Sequence, residues 1–280
     1  MKVIRGISQM RAFTKNARAK EQTIGFVPTM GALHEGHLSL IRRARRDCDK
    51  VAVSIFVNPA QFGPKEDFKS YPRHPKKDLL LCGRGKVDAV FMPAAKDIYP
   101  PHFCTYVSVS GLSDVLCGRS RIGHFRGVAT IVAKLFNIIE PDVAYFGQKD
   151  AQQAIIIGRM ARDLNMPVNI RLMPTIREPS GLAKSSRNAY LSLEEKQRAS
   201  VLYRALKMAR ELIRMGHKDA SKIKKRMQRL ISAHKITVEY ISMVDLVDLA
   251  PVTKLYGTVL IALAARIGKT RLIDNIIVKI

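Results

Sequence analysis

The chain has 280 residues, of which 47% are apolar and 25% charged, so it can bury a core and form about two domains. This composition excludes intrinsic disorder as the main state of the chain. The formal net charge of +25 favours anionic partners, namely nucleotides, acidic metabolites or nucleic acids.

Three sequence features bear on location. The most apolar of the later runs, Val259 to Ala265, is far shorter than the roughly 20 residues of a membrane helix, so we expect no membrane partner. The first 13 residues lack the continuous apolar stretch of a secretory signal. The spacing of Cys48, Cys82, Cys104 and Cys117 matches neither a CxxC motif nor a zinc site, which indicates reduced thiols in a cytoplasmic protein.

The first part of the chain alternates predicted strands and helices. Apolar runs rich in β-branched residues predict strands at 24–27, 51–57, 87–91, 106–109, 143–146 and 168–173. Apolar residues at helical spacing predict helices at 38–46, 128–139 and 151–164. The alternation predicts an α/β fold with a doubly wound, Rossmann-like parallel sheet covered on both faces.

The composition changes near residue 175, where Pro174, Pro179 and Gly181 cluster in a polar stretch. We therefore predict one domain at 1–175 and a smaller α+β domain at 176–280. In the second, Ser192 and Glu195 form a capping-box pattern for a helix that runs to about Met215. A basic amphipathic helix follows from about residue 220, and strands are predicted at 237–244, 258–265 and 272–278.

The strongest local motif is FVPTMGALHEGH, residues 26–37, between the first predicted strand and the first predicted helix. A helix start that follows a strand and a loop favours a phosphate, because its N–H groups lack intrahelical partners. His34 and His37 can donate hydrogen bonds to phosphate oxygens. Such a pair is also compatible with a core or metal role, although no third ligand lies nearby in sequence.

Four ordered motifs carry a resemblance to a known family. The His-x-Gly-His element resembles the signature of class I aminoacyl-tRNA-synthetase-like nucleotidyltransferases. Together with SIFVNPAQF at 54–62, YFGQKD at 145–150 and GLAKSSRN at 181–188, the motif at 26–37 resembles the pantothenate synthetase (pantoate–β-alanine ligase) family. The resemblance extends over nearly the whole chain.

The resemblance implies an ATP-dependent ligation. Pantoate and ATP form pantoyl adenylate and diphosphate, and the amine of β-alanine then displaces AMP to give pantothenate. A carboxylate needs such activation because its oxygen is a poor leaving group, and positioning and charge neutralisation would carry the catalysis. The implied partners are these small molecules, with Mg²⁺ bound through the nucleotide, no nucleic acid, and a second copy of the chain in a homodimer.

The resemblance also assigns roles to residues. His37, His34 and Lys149 are the expected catalytic residues, and the expected pantoate-binding residues are Asn58, Gln61, Gln153 and Met30. The expected ATP-binding residues are Met30, Gly31, Ala32, Leu33, His34, Glu35, Gly36, His37, Gly147, Gln148, Lys149, Asp150, Ile176, Lys184, Ser185, Ser186 and Arg187. The smaller domain would close over the nucleotide as a lid and exclude water from the acyl adenylate.

Several of these residues have simpler interpretations when taken alone. Lys149 could be one solvated lysine among many, Gln61 and Gln153 could be surface amides, and Met30 could pack in the core. Asp150 could cap a helix, hold Mg²⁺, or do both. The motif context favours the functional interpretation.

The chain departs from the family pattern at four positions. Lys184 replaces the usual Met or Leu, and Ser180 replaces Asp, so the loop at 181–188 is more positive. We expect Lys184 either to add a phosphate contact or to point to solvent. Gln148 replaces Glu, and Ile122 replaces Pro, which should change the rigidity of its loop. His124 and Arg121 in that loop remain possible phosphate or substrate neighbours without a firm role.

Residues 198–235 hold 12 Lys and Arg but only two acids, Glu211 and Asp219. This stretch admits a nucleic-acid-binding protein as a rival from another class. The cations surround the helices without interleaved aromatics, which favours a solvated basic face. A nucleotidyltransferase that stops after nucleotidyl transfer is the rival among enzymes.

Overall fold

A computed structural model describes residues 1–64 and 66–280. Contacts divide this part of the chain into two compact units. The first comprises Met1–Asp114, Gly118–Gly147 and Gln152–Pro174. The second comprises Val115–Cys117, Gln148–Ala151 and Thr175–Ile280, so the short segment that contains Lys149 groups with the C-terminal part of the chain.

The strands are β1 (Lys2–Ile4), β2 (Ile24–Thr29), β3 (Lys50–Ile55), β4 (Ala89–Phe91), β5 (Val143–Gly147), β6 (Asn169–Met173), β7 (Thr237–Asp245), β8 (Thr258–Ile267) and β9 (Thr270–Lys279). The helices are α1 (Ile7–Arg18), α2 (Glu35–Asp47), α3 (Pro75–Arg84), α4 (Ala95–Ile98), α5 (Cys117–Ser120), α6 (His124–Ile139), α7 (Ala151–Asp163), α8 (Leu193–Ala199), α9 (Val201–Arg214) and α10 (Ala220–Ser232). Short 3₁₀ turns lie at Pro59–Gln61, Gln148–Asp150 and Ser186–Tyr190.

The first unit is built on a six-stranded parallel sheet of order β1-β4-β3-β2-β5-β6. Successive connections run from β2 towards one edge and then from β5 towards the other, which makes the position between β2 and β5 a topological switch point. Two apolar clusters cover the sheet. One includes Phe26 and most of α6, and the other includes Val27 and the buried face of α2. The predicted doubly wound parallel sheet is confirmed.

The sheet loosens at this switch point. The ladder between β2 and β5 ends at the pair Phe26 and Ala144, whereas β2 continues beside β3 as far as Thr29. Pro28, which can donate no backbone hydrogen bond, lies in this continuation. The carboxyl end of β2 is therefore placed to lead into a ligand-binding loop.

The second unit contains a three-stranded antiparallel sheet of order β7-β8-β9, and β9 lies at one edge. Helices α9 and α10 supply apolar residues to the same cluster, with Leu202, Leu206, Met227 and Ile231 fully buried or nearly so. Most basic residues of α10, including Lys225 and Arg229, are exposed, and Lys224 is half-buried. The small α+β character predicted for this region is confirmed.

Two details of the prediction are wrong. Residues 106–109 form no strand, because the N–H of Val107 donates to Thr130 Oγ1 of α6 at 3.0 Å rather than to a neighbouring strand. Their alternating pattern reflects partial burial of Val107 and Val109 against the core. The single helix expected from 192 to 215 is divided at Ser200 into α8 and α9, although the capping box of Ser192 and Glu195 is present.

Within the part of the chain that the structure describes, every helix falls short of the length and hydropathy of a membrane span. The four cysteines are not joined in disulfides.

Candidate active site

The loop between β2 and α2 is fixed by its own sequence and by one buried acid. Gly31 and Ala32 have φ values of +83° and +49°, so the chain reverses sharply after Thr29. The carboxylate of Asp78, on α3, accepts from the N–H of Ala32 at 3.0 Å and of Leu33 at 2.8 Å. Asp78 is only 1% exposed, so these bonds compensate for burial of its polar group. The loop is therefore preorganised before a ligand arrives.

His34 and His37 form a reciprocal cap at the start of α2. His34 Nδ1 accepts from Gly36 N at 3.1 Å, and His37 Nδ1 accepts from His34 N at 3.3 Å. Each Nδ1 thus carries a lone pair, so a neutral ring must bear its proton on Nε2. The ring centroids lie 4.2 Å apart. The structure therefore brings the two histidines together with their donor atoms defined.

The same contacts involve backbone N–H groups that the sequence suggests for anion binding. The N–H groups of Ala32, Leu33, His34 and Gly36 all donate to side chains of the protein. In this structure these groups hold the shape of the loop. A neutral imidazole in this motif would offer its Nε2–H as a donor to an anion, and the positive end of the α2 dipole would favour such a ligand.

An amide network follows β3 in the first unit. Asn58 Nδ2 donates to Gln61 Oε1 and to Gly127 O, each at 3.1 Å, while its Oδ1 accepts from Tyr99 OH at 2.7 Å. Because Gln61 Oε1 is an acceptor here, its Nε2 is the donor that lies 3.0 Å from Met30 Sδ. The structure thus brings three predicted pantoate-binding residues together: Met30, Asn58 and Gln61.

The loop before α6 contacts this amide network through His124 at the start of the helix. His124 Nδ1 lies 2.8 Å from Gln61 O, and its Nε2 lies 2.8 Å from Arg121 Nη1, so a neutral His124 donates from Nδ1 and accepts at Nε2. Arg121 also forms two bonds with Glu66 at 2.6 and 2.7 Å. Burial raises the pKa of Glu66, but the bonds to Arg121 outweigh this effect and hold its pKa below the usual range.

Burial raises the pKa of Tyr99 well above its ordinary value, so Tyr99 remains a protonated donor to Asn58 at neutral pH. Gln153 is half-buried on α7, in the same unit as Gln61. Sequence reasoning missed Tyr99 and Asp78 because each acts from a distant point in the chain and carries no motif of its own.

The second unit holds the other predicted ATP-binding residues except Gly147, which ends β5 in the first unit. Lys149 lies in the 3₁₀ turn directly after β5, and its Nζ is 3.5 Å from Asp150 Oδ1. The side chain of Lys149 is 19% exposed and that of Asp150 is 48% exposed. Among the described residues, no cluster of three or more His, Cys, Asp or Glu side chains has the geometry of a metal site.

Residues 176–184 form a short hairpin in the second unit, and the 3₁₀ turn Ser186–Tyr190 follows it. Lys184 N donates to Ile176 O at 2.9 Å, and Glu178 N donates to Leu182 O at 2.8 Å. The N–H of Arg187 donates to Ser185 Oγ at 3.3 Å. The structure thus places Ile176 beside Lys184 and gathers the predicted phosphate-binding residues, Lys184, Ser185, Ser186 and Arg187, in one segment.

The four departures from the family pattern have distinct settings. Lys184 is half-buried, and Ser180 is exposed with its Oγ accepting from Leu182 N at 3.4 Å. Ile122 is 92% exposed. Gln148 Nε2 donates to Asn275 Oδ1 at 3.3 Å, a bond that a glutamate carboxylate could not donate.

Comparisons with known proteins identify the family of this chain. The family model for pantoate–β-alanine ligase matches residues 2–277. Pantothenate synthetase from Thermotoga petrophila is 54% identical over 278 residues, covering 99% of each chain.

Solved structures agree. Pantothenate synthetase from Thermus thermophilus has a TM-score of 0.93 and 41% identity, with 99% of each chain covered. Pantoate–β-alanine ligase from Francisella tularensis, solved with β-γ ATP and β-alanine, has a TM-score of 0.80 and 36% identity, with 99% of this chain and 97% of that chain covered. The chain belongs to the pantoate–β-alanine ligase family and is a ligase that forms pantothenate.

Proposed function

We propose that the chain uses the residues described above to join pantoate and β-alanine in two steps, with ATP as the activating substrate. The pantoate carboxylate attacks the α-phosphorus of ATP, which forms pantoyl adenylate and releases diphosphate. The amine of β-alanine then attacks the acyl carbon, loses a proton and displaces AMP. The observation that carries this assignment is the reciprocal histidine cap, whose Nε2–H groups are defined donors at the start of α2.

His34 and His37 would donate from Nε2 to phosphate oxygens of ATP, with His37 facing the charge that develops during attack. Lys149 would neutralise the α-phosphate, since a flexible ammonium group can follow a phosphorus whose geometry changes. The remaining residues of 30–37 and 147–150 would line the nucleotide site. Ser185, Ser186 and Arg187, with Lys184 and Ile176, would hold the β- and γ-phosphate end of the nucleotide.

The amide network would orient pantoate. Gln61 has its Oε1 engaged by Asn58, so its Nε2 is the group able to donate to an anionic substrate. Both Nδ2 hydrogens of Asn58 have acceptors within the protein, which supports a role in orienting Gln61 rather than direct contact. Gln153 and Met30 would complete the pantoate site.

Magnesium fits the site through one carboxylate. Asp150 has an accessible carboxylate next to Lys149, and magnesium commonly takes one or two protein carboxylates with nucleotide phosphate oxygens. Asp150 would hold the ion, which supplies positive charge to the phosphates when bound. The family likeness also supports a homodimer and a cytoplasmic location, which light scattering of the purified protein and cell fractionation would test.

Removing either donor tests the assignment. His37→Ala and Lys149→Ala are each expected to lose roughly 2.7–4 kcal/mol of transition-state stabilisation, the usual effect of deleting one donor to a developing negative charge. The measurement is single-turnover formation of pantoyl adenylate. The matched controls His217→Ala and Lys225→Ala change exposed residues of the second unit and should retain the wild-type rate. Wild-type adenylation by both His37→Ala and Lys149→Ala would contradict the proposal.

Substrate omission separates the ligase from a nucleotidyltransferase. With ATP and pantoate alone, the ligase should release diphosphate once per site and retain the adenylate. Catalytic release of AMP and pantothenate should begin when β-alanine is added. A stable nucleotidyl product that persists in the presence of β-alanine would favour the rival.

A further inference from the structure

The turn that carries Lys149 is held by a residue more than a hundred positions away. Asn275, on β9, donates from Nδ2 to the carbonyl oxygens of Gln148 at 2.8 Å and Lys149 at 3.0 Å. Its Oδ1 accepts from Gln148 Nε2 at 3.3 Å. Asn275 is 3% exposed, so water competes little for these bonds. One side chain thus secures two successive peptide units of the turn.

The preceding residue, Asp274, restrains the backbone of Asn275. Asp274 is 3% exposed and pairs with Arg177 through two bonds of 2.6 and 2.9 Å. Asp274 Oδ1 also accepts from the N–H of Asn275 at 2.8 Å. The guanidinium of Arg177 lies 3.6 Å from the ring centroid of Tyr203, which restricts it further. The main chain at Asn275 is therefore held, through Asp274, by the side chain of Arg177.

These contacts require an amide at position 275. An alanine would leave two carbonyl groups of this half-buried turn without the donor, and an aspartate would face both carbonyl oxygens with a carboxylate. The bonds end on the main chain at positions 148 and 149, so Asn275 acts through the turn. A change at position 275 should therefore alter the direction of the Lys149 side chain without removing its charge.

We propose that Asn275 is a positioning residue for the ligase reaction, which fixes the main chain of the Lys149 turn so that the Lys149 ammonium group meets the α-phosphate of ATP. This inference rests on the proposed role of Lys149. Asn275 itself touches no reacting atom in this scheme, and its effect on catalysis is transmitted through Lys149.

A double-mutant cycle tests the proposal with the full-length enzyme. Asn275→Ala is expected to slow single-turnover formation of pantoyl adenylate at saturating ATP and pantoate by roughly tenfold or more, since small misplacements of a catalytic group are costly. The KM for pantoate should change little. In a Lys149→Met background the same substitution should change the rate by about twofold or less, because residues that act as a unit are not additive.

Two further variants separate positioning from general damage. Ile276→Ala removes a buried side chain from the next position of β9 and serves as the control for lost stability. It should lower the thermal midpoint but keep the adenylation rate. Asn275→Ser keeps one hydroxyl donor and should give an intermediate rate, which also provides a measurement if Asn275→Ala does not fold.

The outcomes are distinct. Non-additivity with Lys149→Met supports the proposal. Equal slowing by Asn275→Ala in both backgrounds would overturn it. An adenylation rate in Ile276→Ala that is reduced as much as in Asn275→Ala would overturn it too, because lost stability alone would then explain the slowing. If Lys149→Met itself adenylates at the wild-type rate, the assigned role of Lys149 fails first, and the inference about Asn275 falls with it.

Discussion

Gly36 shows how a single hydrogen atom at Cα sets the donor geometry of His34. A Cβ at position 36 would lie 2.8 Å from Cε1 and 2.9 Å from Nδ1 of His34, closer than real Cβ contacts. Gly36→Ala should displace the imidazole and break its cap on α2. We expect the transition-state stabilisation of adenylation to fall by about 1–2 kcal/mol, which corresponds to a roughly tenfold decrease in kcat/KM for ATP.

Steady-state kinetics with varied ATP check this expectation. Gly158→Ala, in α7, is the matched control, because within the described structure a Cβ there meets no atom within 4 Å. The control should keep its activity and gain about 0.5–1 kcal/mol in stability, since alanine favours a helix over glycine. Unchanged kinetics in Gly36→Ala would show that adenylation does not depend on the His34 cap.

Glu66 gives a pH-dependent prediction. Burial raises the pKa of the Glu66 carboxyl, but the bonds and charge of Arg121 outweigh burial and hold this pKa below its ordinary range in the folded protein. The ionised form is therefore favoured in the folded protein, and the resulting stability is present above the unfolded pKa and lost as pH falls through the folded pKa. Wild type should lose more thermal stability than Glu66→Gln between about pH 5 and pH 3.

Differential scanning calorimetry across this pH range is the measurement. At pH 7 Glu66→Gln should be less stable than wild type, because the neutral amide loses its charge-assisted bonds to Arg121. The two curves should converge in acid. Parallel curves over the whole range would mean that the pair contributes no proton-linked stability.

At the scale of elements, α3 controls the loop that precedes α2. Asp78→Asn keeps one oxygen acceptor but turns an NH₂ group towards an N–H of Ala32 or Leu33. We expect a loss of about 1–3 kcal/mol in unfolding free energy, the usual effect of leaving a buried group unsatisfied. Adenylation should slow as well, because the loop at 30–34 loses its preset shape.

Urea unfolding and single-turnover kinetics on the same preparation test both parts. Asp97→Asn, on the exposed side of α4, is the control for loss of an acid and should be close to wild type. Wild-type kinetics together with reduced stability in Asp78→Asn would separate the fold of the loop from its function.

The elements also show what the sequence could predict. Strands β2, β3 and β5 were predictable because buried parallel strands are continuous apolar runs, and α10 was predictable from its apolar stripe. Strand β1 and the helices α1, α3, α4 and α5 were not predicted; β1, α4 and α5 are only three or four residues long, too short to show a periodicity. The motif at 26–37 located both histidines, but their tautomers and the contacts of Asp78 and Asn275 depend on tertiary structure that local patterns do not encode.

At the scale of the molecule, the chain carries a net charge of +25, whereas ATP and pantoate are anions. Long-range attraction should raise the association rates of ATP and pantoate, and salt should screen it. We expect kcat/KM for pantoate to fall severalfold between about 0.01 and 0.3 M NaCl, while kcat changes little.

Kinetics in NaCl and in a second monovalent salt such as potassium acetate distinguish screening from a specific ion effect. The double variant Lys225→Gln and Arg229→Gln removes exposed charge from α10 and should weaken the salt dependence. Salt-sensitive binding of nucleic acid that survives His37→Ala and competes with no substrate would instead give the basic face a separate role.

The bond from Asn275 to the Lys149 carbonyl joins positions that are 126 residues apart. During synthesis on the ribosome, the parallel sheet can begin to assemble while β9 is still untranslated. The ammonium group of Lys149, for which we propose a contact with phosphate, would gain its fixed setting only when the final hairpin, β8 with β9, has emerged and closed. Full adenylation activity would therefore require the last strand of the chain, and chains that end before β9 would lack this contact.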